Sequence, residues 1–176
     1  MECPPIDRIE IVSADAGWKM AQPLFEAVWP PDVVARLPWR DILWALPEQR
    51  VLAFDRIGEL LGHAEFLSRD AKWDGLAVKI FGIGGVVTHA DQRRRGIASR
   101  VLQRAIGEAN DADFGLLFCE PRHAPVYEKL GWRRFAGEVF ALQPQGRIRF
   151  SVTDPYLLDF KVAPRGGVID LCGLPW

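Results

Sequence analysis

Residues 81–108 read FGIGGVVTHADQRRRGIASRVLQRAIGE, and this stretch decides the fold. Its first part, residues 83–88, is an apolar run rich in β-branched residues, which is typical of a buried strand. Its last part, residues 97–106, has apolar side chains at helical spacing and polar ones on the opposite face. A basic loop that contains a glycine joins the two. Because the first N–H groups of a helix lack partners within it, this succession predicts a cradle for an anion.

The loop, residues 93–98, reads RRRGIA and fits the pattern Arg/Gln-x-x-Gly-x-Gly/Ala. Gly96 lets the backbone approach a phosphate because it has no Cβ, and the arginines offer charge and forked donors to phosphate oxygens. The segment resembles the coenzyme A pyrophosphate loop of the GNAT acetyltransferase superfamily. This resemblance implies that acetyl-CoA is the cofactor, bound by the loop and by the strand that precedes it. The residues expected to bind it are Val86, Val87, Thr88, Arg93, Arg94, Arg95, Gly96, Ile97, Ala98 and Ser99.

A second motif lies downstream of the helix. Residues 113–119, DFGLLFC, are predicted to form a strand parallel to the first one, because a helix crosses over between them. Residues 127–132 then read YEKLGW, and the pattern Tyr-x-x-x-Gly-Trp resembles the second signature of the same superfamily. The resemblance implies that Tyr127 is the general acid that protonates the departing thiolate. The alternative is a packing tyrosine on a short helix.

Glycines interrupt the long strand predicted at residues 76–88, at positions 82, 84 and 85. Glycine weakens a strand, so these positions need a reason. One interpretation is a bulge that bends the strand away from its neighbour. The resemblance places the pantetheine arm of the cofactor in that gap, paired with the backbone of the strand as a peptide adds to a sheet edge. The other interpretation is that the glycines avoid a clash with a packed helix.

The rest of the chain completes a mixed pattern of strands and helices. Ser13 or Asp15 is expected to cap a helix that ends near Val28, and Asp32 is expected to cap a second one. Further strands are predicted at residues 8–13 and 133–142, among others. The prediction is an α/β (α+β) fold: a single GNAT-type domain over residues 1–176, with a mixed central sheet of about seven strands, a splayed parallel pair and about four flanking helices.

The reaction implied by the resemblance moves an acetyl group from acetyl-CoA to a primary amine by direct attack in a ternary complex. An alkylammonium with a pKa of about 10 must first lose a proton, so a base is needed. Many GNAT enzymes carry a glutamate on the strand ahead of the loop, but Gly84 stands at that position here. Glu120 is the predicted base, and His63, Glu65 and His123 are the alternatives. His63 and Glu65 are expected to share one face of their strand, because side chains alternate along a strand.

The layout of the chain most resembles the aminoglycoside 2′-N-acetyltransferases, and residues 166–170, GGVID, resemble the nodulation acyltransferases. This implies an amino sugar or an aminoglycoside-like acceptor, with Asp170 and the carboxylate of Trp176 as anionic contacts. Leu174 stands where that branch has an acidic residue, so a smaller or more apolar amine is equally open. A longer acyl chain and a non-catalytic coenzyme A-binding module are the alternative functions. Four tryptophans are predicted to be core, with a substrate channel as the alternative: Trp18, Trp29, Trp39 and Trp44.

Composition restricts the remaining functions. The net charge of −1 provides no basic field that would attract nucleic acid. If the arginine triplet does not bind phosphates, the alternative is a solvated basic turn. No apolar run approaches the length of a membrane span, and residues 1–5, MECPP, lack the features of a signal peptide. Cys3, Cys119 and Cys172 are an odd number without metal-type spacing, which predicts a reducing cytoplasm and no metal. The expected partner is a small-molecule amine, and the resemblance adds a homodimer.

Overall fold

The computed structural model describes residues 6–176, which fall into two compact units. The first unit comprises residues 6–40, 47–66 and 84–108, and the second unit comprises residues 41–46, 67–83 and 109–176. The expectations for Cys3 and for the N-terminal pentapeptide lie outside the described residues.

The first unit is an antiparallel sheet with three helices. Its elements, in chain order, are β1 (Arg8–Ser13), α1 (Ala14–Val28), α2 (Pro31–Val34), β2 (Gln49–Phe54), the first part of β3 (Leu60–Trp73), the last part of β4 (Leu76–Thr88) and α3 (Ile97–Ile106). Strand β1 pairs with β2, and β2 pairs with β3 in a register that places Arg50 opposite Glu65. A small core around Ala21, Leu52 and Phe54 joins α1 to the sheet.

The starts of the first two helices follow local chemistry. Ser13 caps α1 as predicted, because its Oγ accepts a hydrogen bond from the backbone N–H of Ala16 at 3.4 Å. The second helix begins after Pro30 and is not capped by Asp32, so that prediction is wrong. Pro31 fills the first helical position, where a backbone N–H would have no partner anyway, and Asp32 lies inside the first turn.

The second unit is built on a mixed sheet. Besides the remaining parts of β3 and β4, its elements are β5 (Phe114–Cys119), α4 (Ala124–Glu128), β6 (Arg133–Arg134), β7 (Glu138–Gln143), β8 (Gly146–Arg149), β9 (Asp154–Asp159) and β10 (Val168–Asp170). The strand order is β6-β9-β5-β4-β3-β10-β7-β8. The pairs β4/β5 and β10/β7 are parallel, whereas β3/β10, β5/β9, β6/β9 and β7/β8 are antiparallel. The core includes Ile80, Phe114 and Leu157, all fully buried.

The structure confirms the mixed α/β fold, its mixed sheet and its four α-helices within residues 6–176. The same residues contain ten strands where about seven were predicted. Part of the difference lies in residues 133–142, which form β6 and β7 and not one strand. Gly137 separates the two at a point where a Cβ would overlap the carbonyl oxygen of Gly167.

The tryptophans near the N-terminus are less buried than predicted. Trp18 is 39% exposed, so the prediction that it belongs to the core is wrong. Trp29, Trp39 and Trp44 are half-buried, and Trp44 packs against the core of the second unit. In the part of the chain that the structure describes, no helix is long and apolar enough to cross a membrane, and no group of His, Cys, Asp and Glu side chains could hold a metal ion.

Candidate active site

The predicted cofactor loop lies in the first unit, between β4 and α3. A short 3-10 turn, Ala90–Gln92, leads into it, and Arg94 and Gly96 both adopt left-handed backbone, with φ of 63° and 81°. Backbone of this kind turns neighbouring N–H groups into a concave surface that binds anions. Gly96 is the N-cap of α3 and supplies no side-chain cap, so a ligand can reach the N–H groups of the first turn.

The side chains of the loop add only donors. Arg93, Arg94 and Arg95 are exposed, and Nη1 of Arg95 donates to Oε1 of Gln92 at 2.8 Å. The first turn of α3 carries no acidic residue that would oppose the positive end of the helix dipole. Guanidinium groups and free N–H groups together fit a pyrophosphate.

Contacts with β3 hold the beginning of α3 in place. Ile97 is 1% exposed, and its Cγ2 lies where a Cβ on Gly62 would stand. The backbone oxygen of Val87 lies 3.4 Å from that same position. Gly62 therefore allows the first residue of the helix to seat directly on the sheet, beside the strand that the cofactor is expected to follow.

A buried polar cluster lies on β2 and β3 in the first unit. Nη1 of Arg50 donates to Oε2 of Glu65 at 2.5 Å and to Nε2 of His63 at 3.1 Å. Nδ1 of His63 lies 2.6 Å from the carbonyl oxygen of Gly85. Because an arginine only donates and a carbonyl only accepts, His63 is the neutral tautomer that carries its proton on Nδ1.

Burial shifts both titratable partners of Arg50. Burial is the main reason that the pKa of His63 is lowered to about 4. The hydrogen bond to Gly85 raises this pKa, and the positive charge of Arg50 lowers it further. Burial also raises the pKa of the Glu65 carboxyl, and Arg50 opposes that shift. The sequence predicted that His63 and Glu65 share a face, and the structure confirms it. His63 is fully buried and its free lone pair accepts from Arg50, so it cannot contact a substrate.

Two of the glycines in β4 avoid side chains and not a helix. A Cβ on Gly82 would overlap the indole of Trp176, and a Cβ on Gly85 would lie 2.7 Å from Cδ of Glu65. Gly85 also has a φ of 54°, which interrupts regular strand geometry. The parallel pairing of β4 with β5 covers Ile80–Ile83 only, although β4 itself continues to Thr88. The left-handed backbone at Gly85 is consistent with a bend in β4, and at Gly82 and Gly85 the missing Cβ makes room for side chains and not for a packed helix.

Tyr127 and Glu120 lie in the second unit. Tyr127 is 9% exposed on α4, and burial, followed by the nearby Cys119, raises the pKa of its phenol. Burial and the neighbouring carboxylates raise the pKa of Cys119 to about 12, which makes it a poor nucleophile. Oε2 of Glu120 accepts from Nε and Nη2 of Arg122 at 3.0 and 2.7 Å, and His123 lies 3.8 Å away.

Comparison with known proteins identifies the family. Residues 18–135 match the sequence profile of the acetyltransferase (GNAT) domain. The chain belongs to this family. Acetyltransferases of the GNAT family use acetyl-CoA, and the donors of the loop fit its phosphates. No match was found among curated proteins.

Solved structures of N-acetyltransferases and GNAT acetyltransferases share the fold at low sequence identity. The N-acetyltransferase YhbS from Escherichia coli in complex with CoA is 13% identical, with a TM-score of 0.59 over 98% of this chain and 93% of that one. A putative N-acetyltransferase from Lactobacillus plantarum is 17% identical, with a TM-score of 0.57 over 87% and 99%. A GNAT acetyltransferase from Brucella melitensis in complex with acetyl-CoA is 15% identical, with a TM-score of 0.52 over 92% and 94%.

The two residues predicted to contact the acceptor of this GNAT protein are each engaged in other contacts. Nε of Arg147 donates to Oδ2 of Asp170 at 2.6 Å, and the N–H of Cys172 donates to Oδ1 at 2.9 Å. The indole of Trp176 is 9% exposed, and its Nε1 donates to the carbonyl oxygen of Leu116 at 3.2 Å. The side chain of Trp176 is therefore a packing element of the second unit.

Proposed function

We propose that this GNAT acetyltransferase moves an acetyl group from acetyl-CoA to the primary amine of a small molecule, by direct attack in a ternary complex. The loop carries the proposal: its left-handed residues Arg94 and Gly96 precede an uncapped helix N-terminus, and three exposed arginines surround it. Bound acetyl-CoA supplies an acetyl group activated as a thioester. The loop and the first turn of α3 hold its phosphates.

The remaining tasks fall to backbone and to one phenol. Backbone N–H groups at Val86 and Val87 orient and polarise the acetyl carbonyl. Tyr127 donates the proton of its Oη to the departing sulfur. This phenol is protonated at neutral pH, as an acid requires, because its ordinary pKa is about 10 and burial moves that pKa further up. Glu120 stays a candidate base, although its Oε2 is already engaged by Arg122.

The nature of the acceptor is the finer part of the proposal. The resemblance to the aminoglycoside and nodulation branch predicts an amino sugar. An aminoglycoside is polycationic and needs several free carboxylates, whereas Asp170 is neutralised by Arg147. The contacts of Asp170 therefore argue against an aminoglycoside as an efficient acceptor. A panel of candidate acceptors must include amines that are smaller than an aminoglycoside.

The first experiment measures thermal unfolding with acetyl-CoA, coenzyme A and palmitoyl-CoA. A ligand at about 100 times its dissociation constant stabilises a protein by about 2.7 kcal/mol. Acetyl-CoA is expected to stabilise this chain at least as well as palmitoyl-CoA. A larger shift with palmitoyl-CoA would replace acetyl with long-chain acyl transfer, and no shift with any of the three would refute the cofactor site.

A substitution in the loop tests the same site. Gly96→Glu is expected to abolish the acetyl-CoA shift, because it adds a negative charge and puts a side chain on a left-handed residue beside the phosphates. Gly58→Glu is the matched control. Gly58 also lies in the first unit, has a φ of 86° and has open space around its Cβ position. A shift retained in Gly96→Glu would mean that phosphates do not bind at this loop.

Tyr127→Phe tests the acid. The variant keeps the buried ring and loses only the hydroxyl. Turnover is expected to fall by about tenfold or more, as for loss of a positioned acid, with the acetyl-CoA shift unchanged. Unchanged turnover would remove Tyr127 from the mechanism.

A further inference from the structure

The carboxylate of Glu65 fills the space that a side chain on Gly85 would need. A Cβ built on Gly85 would lie 2.7 Å from Cδ and 2.9 Å from Oε1 of Glu65. Strand β4 has no side chain at this point, and the neighbouring strand β3 brings a carboxylate there instead. Glu65 thus lies against backbone that directly precedes the strand residues expected to bind the cofactor.

The cluster around Glu65 holds one oxygen of its carboxylate, Oε2. Arg50 is itself anchored, because its Nε donates to the carbonyl oxygen of Ala14 at 2.9 Å. Among the described residues, the hydrogen bond and the ion pairs of Glu65 all involve Oε2. The side chain of Glu65 is 20% exposed, against 9% for Arg50 and none for His63. Glu65 is therefore the one member of the cluster that a substrate can reach.

Aromatic side chains of α1 surround this cluster. Cζ of Arg50 lies 5.0 Å from the centroid of the Trp18 ring. The rings of Phe25 and His63 pack in a T-shaped arrangement, with their centroids 4.9 Å apart. Trp18 keeps 39% of its surface exposed. The charges of Arg50 and Glu65 cancel, so this surface presents aromatic area and one carboxylate oxygen but no excess of negative charge. A polycation gains little there, whereas one ammonium group on an apolar body fits.

We propose that Glu65 is the catalytic base that receives the acceptor amine, and that the acceptor is a monoamine with an apolar or aromatic body. The inference rests on the proposed acetyl transfer. The ammonium group of the acceptor gives one proton to Oε1 of Glu65, and the neutral nitrogen then forms the C–N bond to the acetyl carbon while the C–S bond breaks. The electron pair of that bond leaves with the sulfur, which takes a proton from Tyr127 and departs as coenzyme A. The nitrogen loses its second proton as the amide forms, and this proton restores the phenol of Tyr127.

The experiment measures acetylation of phenethylamine and kanamycin by the wild-type protein and by Glu65→Gln, from neutral to alkaline pH. Phenethylamine is the expected substrate. In Glu65→Gln, kcat is expected to fall about 100-fold or more at neutral pH, within the usual contribution of a general base, while KM for acetyl-CoA changes less than about twofold. The loss should shrink as pH approaches the pKa of the amine, because the amine then arrives neutral. A structural defect would lower kcat equally at every pH.

The controls separate this inference from the proposed function. Glu10→Gln removes a surface carboxylate whose partner is Arg8, and its kcat should equal that of wild type. Glu65→Asp keeps the charge next to Arg50 but withdraws it by one carbon. Its kcat should fall about tenfold, and the shape of its pH profile should match that of the wild type. If Glu65→Gln does not fold, this variant tests the role of Glu65 as the base.

Each outcome has one meaning. Wild-type protein that shows no thermal shift with acetyl-CoA and acetylates nothing refutes the proposed function. A thermal shift together with preference for kanamycin, or with no amine acetylated, refutes the acceptor class. Retention of kcat within about twofold in folded Glu65→Gln, or in Glu65→Asp, refutes the role of Glu65 and leaves acetyl transfer standing.

Discussion

At the scale of single residues, His63 makes stability depend on pH. Its ordinary pKa of 6.5 falls to about 4 in the folded protein, mainly because it is buried. Between these two values the unfolded chain binds a proton that the folded protein does not. The free energy of unfolding should therefore rise with pH across this window, by about 3 kcal/mol in total. The same contribution of His63 is lost as pH falls from 6.5 to about 4.

His63→Gln isolates this effect. Glutamine can donate to the oxygen of Gly85 and accept from Arg50, but it does not titrate. Chemical denaturation at several pH values should give a wild-type curve that is steeper between about pH 4 and 6.5 than the curve of the variant. The difference between the two curves is the quantity to compare, because Glu65 titrates in the opposite sense. Parallel curves would mean that His63 keeps an ordinary pKa.

The sequence predicts some of these residues and cannot reach others. The place of the loop between a strand and a helix was predictable because its signal is contiguous: three arginines and Gly96 follow one another between two periodic segments. The shared face of His63 and Glu65 followed from strand alternation. Arg50 was missed as their partner, because it faces Glu65 only through the register of β2 on β3. Gly85 has its reason in Glu65, which lies 20 residues earlier in the chain and gives no local signal.

At the scale of elements, the contact of Ile97 with Gly62 sets how α3 begins on the sheet. Gly62→Ala should cost about 1–3 kcal/mol, because its Cβ overlaps Cγ2 of Ile97 and the packed core cannot expand freely. Ile97→Ala should cost about 2–5 kcal/mol through a cavity. The double variant should be more stable than the sum of the two losses implies, by about 0.5–3 kcal/mol.

Chemical denaturation of the four proteins gives this coupling energy. Gly166→Ala is the control, because it adds a methyl group to a glycine that has no positive φ and meets no atom within 4 Å. Strict additivity of Gly62→Ala and Ile97→Ala would show that the helix does not rest on Gly62. Acetyl-CoA shifts of the same variants then report whether this seating also positions the loop.

Some elements were predicted to the residue and others were not. Strands β1 and β4 have the predicted bounds because each alternates or runs apolar between clear turn signals. The turn between β3 and β4 consists of Asp74 and Gly75, both with left-handed backbone, and Asp-Gly is a dipeptide typical of such turns. Residues 133–142 read as one strand because nothing local marks a break. The break comes from the approach of Gly167 to Gly137, which only the folded chain brings together.

At the scale of the whole molecule, charge is balanced but unevenly placed. The chain has 22 basic and 23 acidic residues, yet three exposed arginines follow one another at the loop. Coenzyme A should therefore bind through a local and screenable attraction. Raising salt from about 0.01 M to about 1 M shortens the Debye length from about 30 to about 3 Å and should weaken binding by about tenfold.

Calorimetric titration with coenzyme A at several salt concentrations measures this dependence. The double variant Arg93→Gln/Arg95→Gln should bind more weakly at low salt and show a flatter dependence on salt. The matched variant Arg93→Lys/Arg95→Lys keeps the charges and should keep the slope, even if it loses the forked geometry. An equal slope in all three proteins would mean that the loop arginines do not attract the cofactor.

The order of the strands was beyond the sequence. Turn signals predict that neighbours along the chain pair as hairpins, and β3/β4 and β7/β8 do so. The pairs β5/β9, β3/β10 and β10/β7 join segments far apart in the chain. Such pairs depend on which apolar faces meet during folding. The sequence of an apolar strand does not specify the distant strand with which it pairs.

The contact of Glu65 with Gly85 also has an evolutionary consequence. An acidic side chain at position 65 and a side chain at position 85 exclude each other, so the residue types at the two positions must change together across homologues. An alignment scored one column at a time would record an acidic residue on β3 and a glycine on β4 as unrelated features. Covariation between the two columns would instead show one feature, in which the glycine leaves open the space that the carboxylate fills.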